Sequence, residues 1–232
     1  VPEERFLQQP YVPPPDATEL VLVRHGASAA AARDEPFELV EGQSDPPLAP
    51  EGVEQAGLVA EHLASESVRA LFVSPLSRAR QTAEPIAAAC GLAPTVVPGL
   101  REVHTGELEG GRFRIAVADR DPVILRLLAE ERWDVIPGAE NMEAFEARVR
   151  AAAAEVVAAC GPGAAVVVSH GGTIAELCRQ ATASRPFAFL NLDNAAITRI
   201  VYLPDGRQLL RSFNETAHLE GAAAAPPSRP RP

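Results

Sequence analysis

Lysine is absent from this chain: all 21 basic residues among its 232 are arginine. Schiff-base chemistry and the lysine of a phosphate-binding P-loop are excluded with it, so any anion site must be built from arginine, histidine and backbone amides. Cysteine is scarce. Cys90, Cys160 and Cys178 stand far apart with no Cys-x-x-Cys pair, so each is expected as a small core residue, neither disulfide half nor metal ligand. No apolar run approaches the roughly 20 residues of a membrane helix. The start, Val1-Pro2-Glu3-Glu4-Arg5, lacks the basic-then-apolar order of a signal peptide. A cytoplasmic protein with no membrane contact is the expectation. Nor is positive charge in excess: the net charge of −10 argues against nucleic-acid binding, which rests on neutralising phosphates.

What is present is an ordinary globular balance, 47% apolar and 22% charged. The length suits one domain, or one domain with an insertion. Residues 1–18 are proline-rich and predict an extended arm; residues 220–232, rich in Ala, Pro and Arg, predict a disordered tail. Between them, in 19–219, strand-like and helix-like segments alternate. Leu20, Val21, Leu22 and Val23 read as a buried strand, as do Ala70–Val73, Thr95–Val97 and Ala164–Val168. Helices are expected over Glu51–Ser65 (apolar face Val53, Leu58, Val59, Leu63), Ser77–Cys90 with Gly91 as its stop, Met142–Cys160, and Ile174–Gln180. Ala195–Leu203 and Gln208–Phe213 suggest a hairpin around Pro204-Asp205-Gly206. This alternation calls for an α/β fold, a three-layer α/β/α sandwich around a mostly parallel central sheet. Residues 104–140, with glycines, arginines and a short helix, break the pattern as a small cap insertion over the site.

Two apolar strands end alike, one in Arg24-His25-Gly26 and the other in Ser169-His170-Gly171-Gly172. Both would deliver an imidazole to the carboxyl edge of the sheet, where open α/β folds bind ligands. A histidine there can be nucleophile, proton carrier or metal ligand. An arginine offers a fork for phosphate or carboxylate. The glycine after each histidine is expected to let the backbone approach a ligand and to leave amides free. In Ser74-Pro75-Leu76-Ser77-Arg78-Ala79-Arg80, Ser77 is placed as a helix cap, Arg78 near the same edge, and Arg80 on the surface. The Leu100-Arg101-Glu102 loop brings carboxyl groups, with Glu107 and Glu109 as rivals to Glu102 for a proton donor. His62 reads as a surface residue, His104 is left between loop and pocket, and His218 is read as structural.

With those motifs in order, the chain resembles the histidine phosphatase superfamily, in its phosphoglycerate-mutase-like branch and of the broad-specificity phosphatase type. The segments 42–48, 137–141 and 194–198 also fit, and the resemblance spans about 20–219. It implies that His25 is the nucleophile of a phosphohistidine intermediate, with Arg24, Arg78 and His170 around the phosphoryl group and Glu102 as general acid. It also implies that Ser28, Gln43 and Gly171 add substrate contacts, with neither metal nor other cofactor. The activity implied is hydrolysis of a small-molecule phosphomonoester. A cofactor-dependent phosphoglycerate mutase and a noncatalytic phospho-ligand or partner-binding protein are the alternatives; an exposed edge strand leaves room for a homodimer. One position departs from the pattern: Ala31 stands where an asparagine is usual, so one phosphate contact is absent or comes from elsewhere. In the cap, arginines 112, 114, 120, 126 and 132 read either as a solvated surface paired with Asp119, Asp121, Glu130 and Glu131, or, for Arg112 or Arg114, as a selector of a second anionic group.

Overall fold

Strands apolar on successive residues must bury both faces, and a sheet covered by helices on each side does that. The computed structural model, which describes residues 7–220, has this arrangement. Its elements are β1 (Thr18–Arg24), β2 (Leu39–Val40), β3 (Gln43–Ser44), α1 (Pro50–Leu63), β4 (Val68–Val73), α2 (Ser77–Cys90) and β5 (Pro94–Val96). They continue with α3 (Arg112–Asp119), α4 (Pro122–Glu130), α5 (Met142–Cys160), β6 (Gly163–Ser169), α6 (Gly171–Thr182), β7 (Ile197–Tyr202) and β8 (Gln208–Glu215). Six strands form the main sheet in the order β5-β4-β6-β1-β7-β8, and only β7 runs against the rest. The α/β/α sandwich on a mostly parallel sheet expected from the sequence is the fold of the protein.

Alternate residues of each central strand feed two cores. Leu20 and Leu22 of β1 and Val167 of β6 face Phe145 and Val149 of α5 and Ile174 of α6. Val21, Val23, Val166 and Val168 face Val59 and Leu63 of α1 and Ala79 and Ile86 of α2. Cys178 is buried, while Cys90 and Cys160 are half-buried; all three are free thiols. α2 and α5 have the bounds read from the sequence, and Gly91 ends α2 at φ 66°. Elsewhere the pattern was read less well. Val53 is 60% exposed, and α1 packs through small residues, Gly52, Ala56 and Ala60, beside Val59 and Leu63. α6 starts at Gly171, three residues earlier than expected, because a helix begins directly on the strand end. The cap contains two helices, α3 and α4, instead of one; Asp121 caps the second by accepting from the Val123 amide.

Residues 7–17 carry neither helix nor strand, and Tyr11 lies under the Arg211 guanidinium at 4.2 Å. The remainder of the expected arm, 1–6, and the expected tail from 221 lie outside the described residues. No helix among the described residues is long and apolar enough to cross a membrane.

Candidate active site

Parallel pairing of β1 with β6, with Arg24 opposite Ser169, brings His25 and His170 out side by side. Their ring centroids are 5.1 Å apart at 59°. His25 is 5% exposed and His170 fully buried. The backbone of His25 is held on both sides: its amide donates to the Ser169 carbonyl (3.0 Å), and its carbonyl accepts from the Ala195 amide (3.2 Å) and Asn194 Nδ2 (3.0 Å).

The ring of His25 is oriented by one bond. Its Nδ1 lies 2.7 Å from the Gly26 carbonyl, which can only accept, so Nδ1 carries the proton. Burial, then the Arg78 and Arg24 guanidiniums, hold this imidazole well below its usual 6.5. The ring is therefore neutral at pH 7, and Nε2 keeps a lone pair, toward which Arg78 Nε donates at 3.3 Å. His170 is lowered in the same way, by burial first and then by Arg78, His25 and Arg24. Its Nε2 meets Ser74 Oγ at 2.7 Å. His170 Nδ1 and Arg24 Nε are both buried without a partner among the described residues. Those two nitrogens leave hydrogen-bonding capacity beside His25, where an anion would use it.

Each cation is anchored by neutral carbonyls or by a distant carboxylate. Arg24 Nη1 donates to the Leu192 carbonyl. Arg78 Nη1 donates to the Ser44 carbonyl at 3.0 Å and stands 3.9 Å from Asp45. Asp45 also caps α2: its carboxylate accepts from the Ser77 amide (2.7 Å) and Ser77 Oγ (2.6 Å). Ser77 itself is not the cap expected from the sequence; a carboxylate from another element supplies the acceptors.

Glu102 sits on the N-terminus of α6. Its carboxylate accepts from the amides of Val103 (2.9 Å), Gly172 (3.0 Å) and Thr173 (3.2 Å), where the helix dipole favours an anion. A Cβ at Gly172 would come within 2.5 Å of Glu102 Oε1, so glycine is what lets the carboxylate seat. The expectation that the glycine after each histidine leaves its amide free fails at Gly26, whose amide is taken by Thr82 Oγ1 at 3.0 Å. At Gly171 the amide has no partner among the described residues, while the next amide, Gly172, is taken by Glu102. The close approach at Gly26 is likewise to protein, since a Cβ there would lie 2.4 Å from the Gly52 carbonyl of α1.

Arg24, His25, Gln43, Arg78 and Glu102 line one cavity of about 260 Å3, together with Ser44, Glu109 and the cap residues Phe113 and Arg114. His170 stands behind that wall, and Gly171 packs beside it against Arg24. Ser28 reaches the site indirectly, by accepting from Arg114 Nη2 at 2.6 Å; Arg114 Nη1 donates to the Ala29 carbonyl at 2.8 Å. The cap thus brings a guanidinium into the neighbourhood that Ala31 leaves without a polar side chain. Gln43 Nε2 donates to the Glu102 carbonyl at 2.7 Å and steadies that loop. Glu109 also lines the cavity, its carboxylate held by the Ser44 and Thr105 amides, and Glu107 is exposed. His104 Nε2 meets the Gly42 carbonyl at 3.1 Å and pins a loop without lining the cavity. His62 is exposed, as expected, and its ring lies 5.2 Å from that of His218, which holds the Ala195 carbonyl at 2.9 Å.

Of the remaining cap arginines, Arg126 pairs with Glu130 as expected, whereas Asp119 pairs with Arg33 and Glu131 with Arg185. Phe37 and Phe113 were missed altogether. Both lie in segments without hydrophobic period, where a lone aromatic carries no sign of the face it presents.

The family model of the histidine phosphatase superfamily (branch 1) matches residues 20–215, and the chain belongs to that superfamily. It is 31% identical over 209 residues to a probable phosphoglycerate mutase of Yersinia enterocolitica, covering 87% of this chain and 95% of that one. It is 35% identical over 193 residues to the same-named protein of Photorhabdus laumondii, covering 79% and 85%. The solved structure of the mycobacterial glucosyl-3-phosphoglycerate phosphatase superposes with a TM-score of 0.71 at 28% identity, over 86% of this chain and all of the other. The protein is an enzyme of the histidine phosphatase class.

Proposed function

We propose that this enzyme hydrolyses small phosphomonoesters through a phosphohistidine formed on His25 Nε2. The observation that carries this is the neutral, oriented imidazole whose unprotonated nitrogen faces the Arg78 guanidinium in a cavity also lined by Arg24. In the first step Nε2 bonds to phosphorus and the ester P–O bond breaks, with Glu102 giving a proton to the departing oxygen. In the second, water attacks phosphorus, Glu102 takes its proton, and the P–N bond breaks to restore neutral His25. Arg24 and Arg78 meet the charge on the transferring oxygens, joined by His170 once the anion's field lets it take a proton. Ser28 and Arg114, with Gln43 and Gly171, position the ester and its neighbours.

Turnover should vanish in His25→Ala. The wild type, quenched in alkali during turnover, should carry phosphate that acid releases. Turnover by His25→Ala near the wild-type rate would overturn the assignment. The relatives' name supports a second reading, phosphoglycerate mutase. Rapid interconversion of phosphoglycerates with negligible phosphate release would favour it over hydrolysis. We place the protein in the cytoplasm, independent of nucleic acid, with β5 and β8 as the sheet edges open to a second copy.

A further inference from the structure

The cavity wall carries two unlike sets of side chains. Arg24, Arg78 and Arg114 beside His25 make part of the wall cationic, and Phe37, Leu108 and Phe113, with Pro46 and Val103, make part of it apolar. Of the other polar groups of the wall, Ser44, Glu109 and Gln43 are already engaged with protein partners. Ser44 gives its amide and hydroxyl to Glu109, and its hydroxyl accepts from the Gly110 amide at 2.7 Å. Glu109 also holds the Thr105 amide, and Gln43 holds the Glu102 carbonyl. A polyol or sugar leaving group would find few partners and would strip water from its hydroxyls without replacement.

The aromatic wall is built to keep its shape. Phe113 packs on Trp133 at 5.9 Å, and Trp133 packs on Phe187 at 5.0 Å. Phe37 is flanked by Gly111, where a Cβ would press its ring at 3.0 Å, and the Arg114 guanidinium lies 5.7 Å over it. Arg114, near enough to His25 to help lower its pKa, donates from one terminal nitrogen to Ser28 Oγ and from the other to the Ala29 carbonyl. Those bonds and its seat over Phe37 tie the cap to the loop after β1. Arg112, the other candidate, is exposed and outside the lining.

We propose that the physiological leaving group is apolar, an aryl or arylalkyl alcohol with a single ring seated against Phe37, Leu108 and Phe113. At about 260 Å3, the cavity lies near the small end of ligand sites, which suits one ring beside the phosphoryl group. The proposal rests on the phosphatase reading for its chemistry but makes its own claim about recognition.

Two measurements keep the claims apart. The first compares phosphate release from 2-phenylethyl phosphate and from glycerol 3-phosphate, whose departing oxygens are both primary alkoxides of similar basicity. The phenylethyl ester should show a kcat/KM about tenfold higher or more. In Phe37→Ala the ratio should fall below about threefold; a ratio within one preparation is untouched by partial misfolding. A wild-type ratio of one or less would overturn the proposal. The second measurement titrates the wild type by calorimetry with 2-phenylethylphosphonate and with methylphosphonate, neither of which can be hydrolysed. The phenylethyl compound should bind about tenfold tighter. A difference under twofold, or no binding by either, would overturn the apolar site whether or not esters turn over. Tighter binding without turnover of any ester would instead overturn the hydrolase reading.

Discussion

A neutral histidine buried among guanidiniums is a cost that the folded state carries, and acid should reveal it. His25 and His170 are both depressed below 6.5 by burial and by the same two arginines. Between those lowered values and about 6.5, the unfolded chain binds more protons than the folded one, so stability rises with pH through that window and levels off above it. Each ring adds a slope of up to about 1.4 kcal/mol per pH unit. Urea midpoints at pH 7 and pH 5 should therefore differ less for His170→Gln than for the wild type; equal differences would show that His170 carries no such shift. Glu102 has its own signature. In Glu102→Gln, p-nitrophenyl phosphate should still phosphorylate His25, because nitrophenolate leaves without a proton, while water attack loses its base. Rapid mixing should show a burst of about one nitrophenolate per enzyme, followed by turnover slowed about a hundredfold. A uniform loss of burst and steady rate would assign the proton transfer elsewhere.

Elements, more than neighbouring residues in the chain, place these groups. The Glu102 loop is tied down by Arg148 of α5, which donates to the carbonyls of Gly99 and Arg101 at 2.9 Å each and of Glu102 at 3.3 Å, and pairs with Glu140 at 2.7 Å. Arg148→Met should lower kcat by about tenfold with KM little altered, since the Arg24 and Arg78 clamp is held by other elements. Adding it to Glu102→Gln should cost little more, the mark of a residue acting through Glu102. That role was invisible in the sequence, where Arg148 is one arginine in an alanine-rich helix. The strand ends were legible, because a buried strand running into His-Gly states both its burial and its exit point. So were α2 and α5, which have a stop glycine or a long period. What escaped were groups satisfied across the fold: Asp45 capping α2, Gly26 packed on Gly52, and Phe37 and Phe113 on the cavity wall. Each depends on which segments meet, and no local pattern encodes that.

At the scale of the molecule, the site is a product of one pairing. The two histidines lie far apart in the chain and meet because β6 lies beside β1 in a single register, Val23 against Val168 and Arg24 against Ser169. A slip of one residue would turn every side chain of β6 to the other face and separate the pair. Catalysis is thus a timekeeper for folding. Helices such as α1, α2 and α5 draw on local contacts and can form early, whereas the β1–β6 register must wait for closure of the long segment from Arg24 to Gly163. On dilution from denaturant, circular dichroism should recover most of its amplitude before phosphate release returns, with activity following the slowest major phase. Simultaneous recovery of both signals would mean that strand pairing is already complete when the helices appear.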